Sequence, residues 1–133
     1  RYLLDTNIVI AAMKGHPAVR ARLENLPLSS LALSPLVLGE LEFGVEKSVH
    51  RERNRARVRK IANTLPWLLS GSVSFRYGRI GAELERRGLP IGANDTWIAA
   101  QALALGAVIV TDNVREFSRV DGLILENWIS APN

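Results

Sequence analysis

Asp5 follows the apolar run Tyr2-Leu3-Leu4, and Thr111-Asp112-Asn113 follows the apolar run Ala107-Val108-Ile109-Val110. Runs of this kind read as buried strands, and in open parallel sheets ligands bind beyond the carboxyl ends of strands. Either acid could instead do no more than cap the helix after it, the commonest use of Asp at such a turn. Glu40 is harder to set aside. At about 100° per residue, Leu36, Val37, Leu38, Leu41, Phe43 and Val45 share one apolar arc, while Glu42 and Glu46 fall outside it and Glu40 falls within it. A carboxylate in that position loses its charge or meets a cation, because a buried, unpaired charge is costly. Asp95 opens a segment that is apolar on every side from 97 to 105 and is therefore buried. The helix macrodipole favours an anion there, so capping and a role in a site both remain open. Carboxylates gathered at the mouth of a sheet, with no His or Cys among them, suit a hard cation such as Mg²⁺ or Mn²⁺. Such a cluster repels itself when empty, so at least one member should titrate high. With the cation bound it can activate water and assist in-line displacement at phosphorus.

The elements that must position these acids are legible from punctuation and periodicity. Residues 2–4 form a strand, and Asp5-Thr6-Asn7 turns it into a short helix over 8–13 that stops at Lys14-Gly15-His16-Pro17. Residues 18–26 read as helix and 31–33 as a second strand. Ser34-Pro35 is a cap followed by a first-turn proline, which predicts a helix to about 47. A further helix is predicted over 51–65, with Val58, Ile61, Ala62 and Leu65 on its inner face. Val73-Ser74-Phe75 reads as a third strand, 77–87 as a helix closed by Gly88 and Pro90, and 94–105 as a helix closed by Gly106. Residues 107–110 make the clearest strand, and 123–125 the last. Short apolar strands alternating with helices predict one α/β domain over 1–133, a parallel sheet covered by helices on both faces.

Composition narrows the class. The 133 residues suit one domain, and 47% hydrophobic with 23% charged residues is ordinary for a folded chain. No apolar run approaches the ~18 residues of a membrane span, and no basic segment leads into an apolar one, so no membrane role and no secretory signal are expected. The start at Arg1, already beside a strand, suggests slight trimming. Cysteine is absent, which excludes disulfides, thiolate nucleophiles and Cys-based zinc sites and makes the cytoplasm the default compartment. A net charge of +4 permits a polyanionic partner without requiring one.

The segments Leu3-Leu4-Asp5-Thr6-Asn7, Leu38-Gly39-Glu40-Leu41-Glu42-Phe43-Gly44, Ile91-Gly92-Ala93-Asn94-Asp95-Thr96-Trp97-Ile98-Ala99-Ala100 and Val110-Thr111-Asp112-Asn113-Val114-Arg115-Glu116-Phe117, with Val120-Asp121-Gly122-Leu123 and Glu126-Asn127-Trp128, occur in series. In that order they resemble PIN-domain ribonucleases, and among these the VapC-type toxins of bacterial toxin–antitoxin pairs. The resemblance covers essentially the whole chain. It implies metal-binding acids at Asp5, Glu40 and Asp95, Mg²⁺-dependent endonucleolytic cleavage of RNA, a homodimer, and inhibition by a VapB-type antitoxin whose C-terminal segment wraps the toxin. It also implies that Thr111 sits beside the metal. The family's fourth acid falls on Asn113, a departure that leaves a carbonyl oxygen where a carboxylate is usual. Asp112 and Glu116 are then the reserve carboxylates, with Thr6 and Asn7 in support. Glu40 or a neighbour would orient the attacking water, and tRNA-like structured RNA is the implied substrate.

Six of the ten residues in 51–60 are basic. With Val58 and Ile61 turned inward, Arg51, Arg53, Arg55, Arg59 and Lys60 largely face out, either as a solvated helix face or as a surface that tracks RNA phosphates. His16 and His50 lie outside the acidic motifs and read as surface, while Trp67, Trp97 and Trp128 read as core or interface. Two other functions stay open on the sequence: a structure-specific DNA nuclease using the same chemistry, and an RNA-binding module whose metal site has decayed, for which Asn113 is the main support.

Overall fold

The computed structural model describes residues 1–65 and 72–130. Four short strands, β1 (Tyr2–Leu4), β2 (Leu31–Ala32), β3 (Val108–Val110) and β4 (Leu125–Glu126), form one sheet in the order β2-β1-β3-β4. Every pairing is parallel, with Leu3 opposite Ala32 on one side and Ile109 on the other. The two central strands, β1 and β3, carry no polar face: Leu3, Leu4, Ile109 and Val110 are all buried. A parallel sheet covered on both sides requires that pattern.

The connections explain the covering. From β1 the chain crosses to β2 through α1 (Thr6–Met13) and α2 (Pro17–Glu24). It returns across β1 to β3 through α3 (Pro35–Lys47), α4 (Arg51–Thr64), α5 (Val73–Arg86) and α6 (Ala93–Leu105), and reaches β4 through the single turn α7 (Val114–Phe117). Right-handed crossovers that leave in opposite directions put α1–α2 on one face of the sheet and α6 on the other. The strand order therefore reverses between β1 and β3, and the crevice between their carboxyl ends is the switch point where α/β sheets bind ligands.

Local chemistry sets the element ends. Ser34 caps α3 through its hydroxyl, which accepts from Leu36 N at 3.1 Å, and Pro35 fills the first turn. Gly106 ends α6 in the left-handed conformation, φ 63°, and lets Ala107 N return to Ala102 O at 2.8 Å. Ile98, Ala99, Ala100 and Ala102 are wholly buried, so α6 is the central helix, packed on α3, α5 and β3. Trp128 closes the core beyond β4, with the ring of Tyr2 5.5 Å away.

Four expectations need correction. Val73-Ser74-Phe75 is not a strand but the first turn of α5, and Phe75 stands largely exposed. The last strand is displaced from 123–125 to Leu125–Glu126. Phe43 leaves the apolar arc of α3, where Val37, Leu41 and Val45 alone are buried. His16 is more than surface, since its Nδ1 accepts from Val19 N at 3.4 Å and caps α2. Trp67 lies outside the described residues.

Candidate active site

Asp5 is placed at the switch point by β1 itself, its backbone N–H bonded to Val110 O at 2.9 Å across the sheet. The side chain is buried and fully engaged. Oδ1 accepts from Thr6 N at 2.8 Å, and Oδ2 accepts from Thr111 Oγ1 at 2.7 Å and from Asn7 Nδ2 at 3.3 Å. Asp5 is thus a helix cap and a member of the cluster at once; the two readings do not compete. Thr111, wholly buried at the end of β3, also accepts from Asn113 N at 2.9 Å. Asn7 ties the two strand ends together, because its Oδ1 accepts from Asp112 N at 3.0 Å.

Glu40 reaches the same crevice from α3. Thr6 Oγ1 donates to its Oε2 at 3.1 Å, and the carboxylate is half-buried rather than solvated. Asp95 enters from the first turn of α6, also half-buried. On the remaining side Asn113 Nδ2 donates to Asp95 Oδ2 at 3.3 Å and to Glu116 Oε2 at 3.1 Å, so one amide spans two carboxylates. Asp112 turns away, as neighbouring residues at a strand end must. Its Oδ1 accepts from Asn127 Nδ2 at 3.0 Å and from Ser130 Oγ at 3.4 Å.

The electrostatics follow from this crowding. Asp95 holds its proton to about pH 6 rather than 3.8, first because burial disfavours its charge, then because Asp5, Glu116 and Glu40 repel it. A hydrogen bond with Glu116 adds to the effect. The field that retains a proton also attracts a cation. Among the described residues no three His, Cys, Asp or Glu side chains are grouped closely enough to hold a metal ion as they stand. The donor chemistry nonetheless fits a hard divalent ion: carboxylates from four elements, an amide and a hydroxyl, with no nitrogen base or thiolate.

The structure gives one supporting residue a definite part and adds two that the sequence did not single out for the site. Asn7, expected in support of the acids, clamps β1 to β3. Asn127 and Ser130 hold Asp112 outward; Asn127 stands in the Glu126-Asn127-Trp128 segment, for which no part in the site was expected. The basic residues of 51–60 do line α4, but not uniformly. Arg55 is no outward phosphate ligand: it is partly buried and ion-paired to Glu46, with Glu52 3.8 Å away. Arg51 lies 4.0 Å from Glu46. Arg53, Arg59 and Lys60 are exposed and make no ion pair among the described residues.

A parallel sheet with this strand order and acids at its switch point defines a PIN-type nuclease, and the PIN domain matches residues 2–123. Ribonuclease VapC2 of Rickettsia felis is 42% identical over 132 residues, covering 96% of this chain and 97% of the relative. The tRNA(fMet)-specific endonuclease VapC of Shigella flexneri is 42% identical over 130 residues, covering 96% and 98%. The crystal structure of DNA-bound VapBC from Salmonella typhimurium superposes with a TM-score of 0.89 at 40% identity, over 96% of this chain and 98% of that one. This chain belongs to the PIN domain family and, within it, to the VapC ribonucleases.

Proposed function

We propose that the chain is a divalent-metal-dependent endoribonuclease toxin that cuts structured RNA of the tRNA class and is restrained by a VapB-type antitoxin. The observation that carries the metal-dependent reading is the convergence of Asp5, Glu40 and Glu116 on Asp95 in one crevice, where burial first and then their repulsion lift its titration to about pH 6. The name of the Shigella relative supports tRNA as the substrate class, and the Salmonella toxin's presence in a VapBC assembly supports the partner. One nuclease domain over 1–133, a homodimer and a cytoplasmic site of action, where the RNA is, belong to the same proposal. Among the described residues no helix is long and apolar enough to cross a membrane.

Asp5 and Asp95 would hold Mg²⁺ or Mn²⁺, with Glu40 beside them and Asn113 offering its amide oxygen in place of a fourth carboxylate. When bound, the ion polarises a phosphodiester and lowers the pKa of water at the site. The protein's own groups do the rest. Thr6, Asn7 and Thr111 fix the Asp5 carboxylate, so little reorganisation accompanies reaction. Glu40, oriented by the Thr6 hydroxyl, accepts a proton from the attacking water. The water oxygen bonds to phosphorus as the bond to the 3′ oxygen breaks, and that oxygen takes a proton from solvent water, giving a 5′-phosphate and a 3′-hydroxyl without using the RNA 2′-hydroxyl as nucleophile.

A panel of matched RNA and DNA hairpins, incubated with the protein and Mg²⁺, tests the reading. Cleavage confined to RNA, with 5′-phosphate ends, is expected. Equal cutting of DNA would make the protein a structure-specific nuclease. Binding without cutting would make it an RNA-binding module.

A further inference from the structure

A groove of about 430 Å³ opens between α5 and residues 119–121, away from the basic face of α4. Five guanidinium groups and only two carboxylates line it. The carboxylates are already committed, Glu83 to Arg86 at 2.9 Å and Asp121 to Arg87 at 3.6 Å. Arg76 and Arg79 are left without an acidic partner among the described residues. Arg76 Nε is buried and lacks any hydrogen-bond acceptor, a state that an incoming oxyanion would relieve. At the open end Phe75 is 65% exposed, with the Arg79 guanidinium 5.5 Å from its ring centre.

We propose that this groove is a second RNA-binding track, in which Arg76 and Arg79 take backbone phosphates and Phe75 stacks on an unpaired base. The inference rests on the ribonuclease reading and deepens it by naming where the substrate runs beyond the cleaved bond. Arginine supplies a planar fork matched to phosphate, and exposed aromatic rings stack on bases whatever their sequence. The groove is joined to the acidic crevice through the chain. Arg119, in its wall, bonds through its backbone N–H to Glu116 O at 3.1 Å, and its guanidinium donates to Pro90 O at 3.0 Å, just before α6. Along α6, Asp95 and the groove residue Leu103 are eight positions apart, roughly 12 Å at 1.5 Å per residue. At roughly 3.4 Å of helix axis per phosphate on one strand, a few nucleotides span that distance. The acidic crevice and the groove thus meet the same helix about two turns apart.

The test is equilibrium binding of a labelled tRNA transcript to the full chain, with a chelator present so that no cleavage occurs, across a salt series. Arg76→Gln/Arg79→Gln should weaken binding about fivefold or more at moderate salt and flatten the salt slope by about 0.7 for each single-strand phosphate that is no longer neutralised. Phe75→Ala should weaken binding about fivefold with the slope unchanged, since stacking releases no counterions. Arg79→Gln alone, at an exposed position, keeps the test valid if the double variant folds poorly. Wild-type affinity and slope in Arg79→Gln and Phe75→Ala would overturn the proposal. So would an effect confined to self-association in sedimentation, which would make the groove a protein interface. RNA cleavage by the wild type alongside either result would leave the ribonuclease reading standing. No RNA binding by the wild type in chelator would overturn the proposed track, while the ribonuclease reading would be judged by cleavage with Mg²⁺ present.

Discussion

At position 113 a side-chain amide donates to two carboxylates, Asp95 and Glu116, that are themselves in hydrogen-bond contact. Asn113→Asp replaces that donor with a third charge. The metal-free protein should lose about 1–2 kcal/mol at neutral pH, in the range for removing a partner from charged groups, while Mn²⁺ binds several-fold tighter in a calorimetric titration. Two tight Mn²⁺ sites in the wild type, surviving Glu116→Gln, would contradict this role for Asn113. Asp95 allows a second residue-scale prediction. Folding raises its pKa from 3.8 to about 6, so the folded state binds more protons than the unfolded one between those values. Stability contributed by the protonated form is present at low pH and lost as pH rises through about 6. Asp95→Asn should therefore stabilise the metal-free protein by about 1 kcal/mol at pH 7.5, a figure reduced for solvent screening of a half-exposed group, and by almost nothing at pH 4. Urea unfolding at the two pH values with chelator decides it, and an equal gap at both would contradict the assignment. The acids were legible because a carboxylate among apolar neighbours needs a reason. Asn7 could be named in support from the resemblance, but its clamping role could not, because its bonds to Thr111 and to the backbone of Asp112 exist only once β1 and β3 are paired.

Among the elements, α4 and α5 reverse what sequence pattern suggested about each. The run at 51–60 announced a basic helix, and α4 forms there, but Glu46 on the preceding helix ties down Arg55. Arg53→Gln/Arg59→Gln should weaken tRNA binding and reduce its salt slope by about 0.7–0.9 for each phosphate left without its arginine. Arg55→Gln should leave the slope unchanged and cost up to about 1 kcal/mol of stability. A slope unaltered in the double variant would assign that face to solvent. In α5 the pattern misleads in the opposite sense. Val73-Ser74-Phe75 is a β-branched and aromatic triplet with high strand propensity, yet three residues cannot establish a period. Packing overrides the propensity: α5 lies along α6, and Tyr77 stacks on Trp97 with ring centres 3.9 Å apart. Four of the five groove arginines are spaced along α5 and its end, and Arg119 joins them only through the fold.

At the scale of the whole molecule, the order β2-β1-β3-β4 decides where function sits. Alternating apolar strands and helices made a parallel sheet readable in advance, and acids following two strands pointed to one end of it. Which strands are neighbours is a long-range property that no segment carries, and the meeting of Glu40 with Asp5 across 35 positions depends on it. The central claim is that these carboxylates make cleavage of RNA depend on a divalent cation. The direct measurement is single-turnover cleavage of a tRNA transcript by wild type, Asp5→Asn and Glu40→Gln, each across a Mg²⁺ titration and each checked for unchanged thermal unfolding. The account predicts wild-type cleavage that rises with Mg²⁺ and stops with chelator, and a loss of at least about 100-fold in either variant, equivalent to roughly 2.7 kcal/mol of barrier. Full Mg²⁺-dependent activity in either variant, or undiminished wild-type cleavage in chelator, would contradict it.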